Sequence, residues 1–146
     1  MTDSRRSRFA VFFLLAALPS QAWSMEDGRP IDFNRDIRPI LSDNCFTCHG
    51  PDEQKRVNDL RLDRPENVFE DRDGHCAVVP GDVQASELHQ RITSSNPEQR
   101  MPPPDSGRKL TESQIQRLTD WIGQGAEWKE HWAFIAPQRH ELPETQ

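Results

Sequence analysis

The chain has 146 residues, the length of one ordinary domain, and its formal net charge of −6 argues against nucleic acid or an anionic membrane surface as a partner. Only 34% of its residues are apolar and 12 are proline, which describes a loop-rich protein whose thin core needs a staple or a cofactor. Its three cysteines, an odd number, do not by themselves make a disulfide framework.

Residues 1–24 read as an export signal. Ser4-Arg5-Arg6-Ser7-Arg8 is a basic start, and Phe9 to Leu18 is an uncharged apolar run too short to span a bilayer as a finished helix. Pro19-Ser20-Gln21-Ala22 then restores small and polar side chains. Cleavage is expected after Ser24, or after Ala22, since both fit the small-x-small preference; an uncleaved N-terminal anchor is the alternative. Losing residues 1–24 removes three arginines and one aspartate and leaves a net charge of −8. The expected location is the periplasm or the exterior, with no stable membrane span after cleavage and residues 25–30 as a short leader.

From Ile31 the chain enters a short helix. Ile37, Ile40 and Leu41 have the i, i+3, i+4 spacing of one helical face, and Pro39 either starts the helical turn or kinks it. Asn44 is placed to stop it. Asn58-Asp59 is a turn pair that tolerates positive φ, ahead of the alternating Leu60-Arg61-Leu62. Ala77-Val78-Val79 is a brief extended run closed by Pro80-Gly81. Asp82 is placed to cap a helix over 83–93, with Leu88 and Ile92 on its inner face. Residues 94–108 form a Pro/Ser/Asn/Gly loop. Thr111 and Gln114 make a capping box for the last helix, with Leu110 and Ile115 as its hydrophobic staple. Ile115, Leu118 and Ile122 form its apolar stripe, Trp121 flanks it, and Gly123 and Gly125 end it. An aromatic tail follows at Trp128, His131, Trp132 and Phe134.

Cys45-Phe46-Thr47-Cys48-His49 is a Cys-x-x-Cys-His sequence, the attachment signature of c-type haem. One helical turn sets both sulfurs on the same side, where each can add to a haem vinyl group, and the next residue, His49, is then presented to the iron. An export signal is consistent with this, because such haem is attached outside the cytoplasm. Two other readings compete. A redox dithiol would use Cys45 and Cys48 alone but belongs in a βαβ context, and a structural zinc site would need Cys76 and one histidine as further ligands. For the sixth iron position, Met1 is removed and Met25 sits at the cleavage junction, leaving Met101 in its proline-rich loop as the thioether candidate. A second histidine (His75, His89, His131 or His140) is the rival, and simple packing of Met101 the plain alternative. Cys76 has no assigned role beyond a buried or free thiol.

Residues 31–136 resemble the planctomycete-type cytochrome c domain. The stretches that carry the likeness are Ile31 to Leu41, Cys45 to Pro51, Leu60-Arg61-Leu62-Asp63, Val79-Pro80-Gly81-Asp82, Arg100-Met101-Pro102-Pro103, Trp121-Ile122 through Glu127-Trp128, and His131-Trp132-Ala133-Phe134. The resemblance implies an all-α, class I-like fold over residues 31–128, with N- and C-terminal helices packed around one covalent haem c. It also implies that Cys45 and Cys48 carry the thioethers, that His49 is the proximal ligand and Met101 the distal one, and that the domain transfers electrons rather than acting as an enzyme. Redox partner proteins are expected, with 129–146 as a tail or linker towards further domains or a partner subunit. The alternative is a haem-bearing docking module of a larger secreted assembly, using Trp128, Trp132 and Phe134 as an exposed contact. The sequence departs from the family at Asn58-Asp59, where two glycines are usual, at His89, usually apolar, and at His75-Cys76, usually small.

Overall fold

A computed structural model of the chain describes residues 30–134 and 136. The export signal, most of the 25–30 leader, Met25, His140 and the end of the tail lie outside the described residues. No described helix is long and apolar enough to cross a membrane.

The described chain opens on a π turn, Phe33–Ile37. Asp32 starts it: its side chain accepts from the Arg35 amide at 3.0 Å, while the Asp36 carboxylate accepts from the Asp32 amide at 2.8 Å. Together these satisfy backbone donors that a helix start would leave free. Helix α1, Arg38–Asn44, follows directly with Pro39 in its first turn, so the proline begins the helix and does not kink it. Ile37, Ile40 and Leu41 are all buried, as their spacing requires. Helix α2, Phe46–His49, is a single turn, and α3, Pro65–Val68, is another.

Strands β1, Asp71–Arg72, and β2, His75–Cys76, pair antiparallel with Asp71 opposite Cys76 and Arg72 opposite His75. Asp73 and Gly74 join them with φ of 55° and 85°. Two positive φ values at an Asp-Gly pair are the mark of a tight hairpin turn whose twist matches that of the strands. Pro80-Gly81 makes its turn as expected, with the Asp82 amide donating to the Val79 carbonyl at 3.0 Å. Helix α4 covers Glu87–Thr93, and α5 covers Glu112–Gly123 with the Thr111/Gln114 capping box complete.

The expected all-α, class I-like arrangement is not what the chain forms. Five short α-helices are separated by long irregular stretches, and a two-stranded sheet lies between α3 and α4. The N-terminal helix is only seven residues long, and at that end of the chain it is the π turn before it, alongside α4, that packs on α5. The helix expected over 83–93 is also shorter. Asp82 Oδ1 accepts from the Gln84 and Ala85 amides, which closes a side-chain turn in place of a helix cap. Ser86, fully buried, accepts from the Val79 amide at 2.9 Å and donates to the Asp82 carbonyl at 2.7 Å, so that α4 starts only after it.

The core is one apolar cluster running from Phe33, Ile37 and Leu41 through Leu62, Val68 and Val78 to Leu118 and Ile122. Its edge is an aromatic stack. Phe33 lies 5.6 Å from Trp121 and 4.1 Å from Trp128, ring centre to ring centre, and Phe69 meets Trp128 edge-on at 6.2 Å. The Arg38 guanidinium sits 5.1 Å over Phe33 and 5.8 Å over Trp128, a cation–π pair of contacts. Trp128 is therefore half-buried and occupied, not part of an exposed contact. Polar bonds reinforce this closure of the two ends. Arg38 donates to the Lys129 carbonyl, Asn34 to the Glu130 carbonyl, and Lys129 Nζ to Asp32 Oδ2 at 2.8 Å.

Asp32 is held below the ordinary carboxylate range, first by the Lys129 hydrogen bond and then by the Arg35 amide. A lowered folded value stabilises the protein above the unfolded carboxylate pKa, and that contribution disappears as the pH falls through the folded one. Lys129→Met is expected to make the melting temperature fall less steeply than wild type below about pH 4. Parallel acid limbs in thermal melts of the two proteins would contradict this role for the pair.

Candidate haem site

Cys45 stands between two helices. Its amide donates to the Leu41 carbonyl at 2.8 Å, ending α1, and its own carbonyl accepts from Cys48 at 3.1 Å and His49 at 2.8 Å, starting α2. The sequence permits this because no residue from Cys45 to His49 is a proline or glycine. The second cysteine and the histidine thus follow the first on one helical turn.

The turn is fixed from outside. The Val57 amide donates to the Cys48 carbonyl and the Leu62 amide to the His49 carbonyl, each at 2.8 Å. Between those two bonds the chain reverses at Asn58 and Asp59, with φ of 54° and 53°. These two residues do the work that a glycine pair would do, at positive φ that Asn and Asp reach more readily than other side chains. Gly50 ends the turn. A Cβ there would stand 2.2 Å from the Phe46 carbonyl oxygen, so only glycine lets the chain leave α2 this closely.

The three chemical groups differ in environment. Cys45 packs on the core, and burial, followed by the nearby Cys48 sulfur, pushes its thiol up to about 12, with Arg108 opposing. Burial likewise pulls His49 below the ordinary histidine range, partly offset by the backbone of Leu60 and Val57. A neutral imidazole is the form that ligates a metal. His49 Nδ1 is buried with no hydrogen-bond partner, a costly condition for a polar atom.

These features bear on the rival readings of the motif. A redox dithiol depends on a thiol pKa brought down towards neutrality, and Cys45 is moved the other way. Nor is there a βαβ unit around it among the described residues. For a zinc site, Cys76 would have to join Cys45 and Cys48. Its thiol donates instead to the Val78 carbonyl at 3.0 Å, and the described residues hold no group of three or more His, Cys, Asp or Glu able to grip a metal ion. All three cysteines are free.

Met101 is half-buried, and its amide donates to the Arg91 carbonyl at the end of α4 at 3.0 Å. Farther along that loop, Arg108 Nε donates to the Asp43 carbonyl at 2.8 Å, which ties the loop to the end of α1 beside Cys45. Of the histidines weighed against Met101, His89 bonds Thr119 at 3.2 Å and so joins α4 to α5, and His75 lies exposed on β2. His131 lines a cleft of about 470 Å³ with Arg38, Phe46, Pro51, Asp63 and Trp128. That cleft borders the motif through Phe46 and Pro51.

With this geometry in view, the comparison with known families points the same way. Residues 45–105 match the family described as Planctomycete cytochrome C. The matched stretch begins on Cys45 and contains Cys48, His49 and Met101, so it supports the resemblance drawn from the sequence over residues 45–105 of the 31–136 first assigned. Over those residues the chain is similar to a cytochrome c-like, haem-binding domain. No curated protein and no solved structure matches the chain.

Gly50→Ala tests whether the tight exit from α2 holds the motif. The clash with the Phe46 carbonyl is expected to cost about 1–3 kcal/mol, as overpacking does, and to lower haem loading in proportion. An unchanged denaturation midpoint would show that the exit tolerates a side chain.

Proposed function

We propose that the chain is an exported c-type cytochrome module that binds one haem through thioethers at Cys45 and Cys48 and carries single electrons in the periplasm or outside the cell. The observation that supports this best is the pairing of two cysteine thiols with an imidazole that burial holds below the ordinary histidine range, all on one helical turn pinned at both of its last carbonyls. Thioether formation is an addition. Each sulfur bonds one vinyl carbon, its proton goes to the other, and no oxidant is consumed. His49, as a neutral imidazole, would be the histidine that holds the iron, and Met101 would supply the thioether ligand. Haem, when bound, supplies the one-electron couple, and thioether sulfur opposite histidine raises its potential.

The chain's own residues bind, orient and shield. Cys45 and Phe46 join the motif to the apolar core, so little has to move when the oxidation state changes. Arg61 and Asp63 pair with each other just beyond the Leu62–His49 bond and stiffen the strand of chain that holds it. An electron carrier needs such rigidity more than it needs a reactive side chain, and the domain is proposed as a carrier and not as an enzyme. Partners would be redox proteins that suit a net acidic surface.

Co-expression with a c-type maturation system and mass spectrometry of the mature chain test this reading. The wild type is expected to gain the mass of one haem, and Cys45→Ala/Cys48→Ala to gain none; a wild type at apoprotein mass would overturn the proposal. In the loaded protein, Met101→Ala should abolish the thioether-to-iron absorption band of the ferric state. Retention of that band would reassign the distal ligand.

A further inference from the structure

The Asn58-Asp59 reversal is held by a side chain from outside it. Arg72, on β1, donates from Nη1 to the Asn58 carbonyl at 3.2 Å and from Nη2 to the Asp59 carbonyl at 3.0 Å. Among the described residues no backbone amide donates to either carbonyl. Both residues have positive φ, and the Leu60 amide closes the turn on the Val57 carbonyl at 3.3 Å. Residues other than glycine adopt that conformation at a cost, so two in succession persist only where their surroundings hold them. One planar guanidinium, with an arm on each of two successive carbonyls, supplies that hold.

Arg72 is itself fixed from the core. Its strand pairs with β2, and at the end of β2 the Cys76 thiol donates to the Val78 carbonyl at 3.0 Å. The Val78 amide donates in turn to the Val68 carbonyl at 3.0 Å, and both valines are buried. Arg72 Nε also meets Glu70 at 3.4 Å, a surface pair worth little alone. The two bonds to carbonyls have a charged donor and are the stronger contacts. What they hold is the segment that pins the motif. On one side of the turn the Val57 amide is bonded to the Cys48 carbonyl, and on the other the Leu62 amide to the His49 carbonyl. The backbone of Val57 and Leu60, which flank the Asn58-Asp59 pair, stands beside the His49 imidazole.

We infer that Arg72 is a positioning residue for the Cys45–His49 motif, acting through the Asn58 and Asp59 carbonyls and the loop bonds to Cys48 and His49. The hairpin, which the Cys-x-x-Cys-His signature does not call for, is the arm that carries Arg72 to the turn. This rests on the haem reading above. Arg72 takes no part in ligation. Its loss frees the loop, and the backbone beside the imidazole shifts with it.

The experiment takes the full mature chain, loaded with haem in a maturation-competent host, and compares wild type with Arg72→Met and Arg72→Lys. Loading is read first on a haem-stained denaturing gel. A colourless wild type would overturn the haem reading itself, and this inference with it. In loaded protein, amide hydrogen exchange followed by NMR reads the loop directly. Arg72→Met is expected to speed exchange at Val57 and Leu62 about tenfold, and by more than at Leu118 in α5. The haem-methyl resonances of the ferric protein, whose spread follows the plane of the axial imidazole, are expected to change their pattern, which a loss of stability alone would not do. Arg72→Lys keeps the charge without the fork and is the milder change should Arg72→Met fail to fold; it is expected to show both effects, smaller. Wild-type exchange at Val57 and Leu62 in the loaded variants, acceleration as large at Leu118, or an unchanged haem-methyl pattern would each overturn the role of Arg72 and leave the haem reading standing.

Discussion

A single turn of helix, such as Phe46–His49, fixes more backbone than its own hydrogen bonds repay, so its persistence depends on what is tied to it. Here the ties are two carbonyls, those of Cys48 and His49, each taken at 2.8 Å by an amide of the following loop. Those bonds go with the reversal at Asn58-Asp59, and the Phe46 carbonyl leaves Gly50, the next residue, no room for a side chain. Upstream, the bond from Cys45 to the Leu41 carbonyl makes the end of α1 the start of the motif. Everything else in the described chain serves to hold those few residues still.

The other organising contact is the closure of the chain ends on each other. Phe33 stacks on Trp121 and Trp128, Arg38 covers two of those rings, and Lys129 reaches Asp32. The ion pair at the surface contributes little by itself, because solvent screens it. The stacked rings contribute more, through apolar area and ring geometry. Since α1 follows immediately from this cluster, the aromatic stack positions the start of the Cys45–His49 motif.

Much of this was legible along the chain where the physics is local. The Thr111/Gln114 capping box, the buried face of Ile37, Ile40 and Leu41, and the Asn58-Asp59 turn all follow from spacing and side-chain chemistry. The Cys45–His49 motif was legible for the same reason. The hairpin was missed although Asp73-Gly74 announces it, because strands of two residues are too short to show alternation. The start of α4 was misplaced because Ser86 is held by groups four and seven residues before it, in the chain that folds back over it. Trp128 read as exposed because its partner, Phe33, lies far away in sequence. The all-α expectation came from the resemblance alone, and it failed at the Asp71–Cys76 hairpin and at the π turn that precedes α1.

The central claim is that two thiols, and not merely a histidine, hold the haem. A pyridine haemochrome spectrum of the mature chain, produced with a c-type maturation system and extracted with acidified acetone beforehand, tests it most directly. Two thioether bonds predict a haem that stays with the protein through extraction and a haemochrome with the blue-shifted α band of a ring lacking both vinyl groups. Haem that leaves with the solvent, or an α band typical of intact vinyls, would contradict the account.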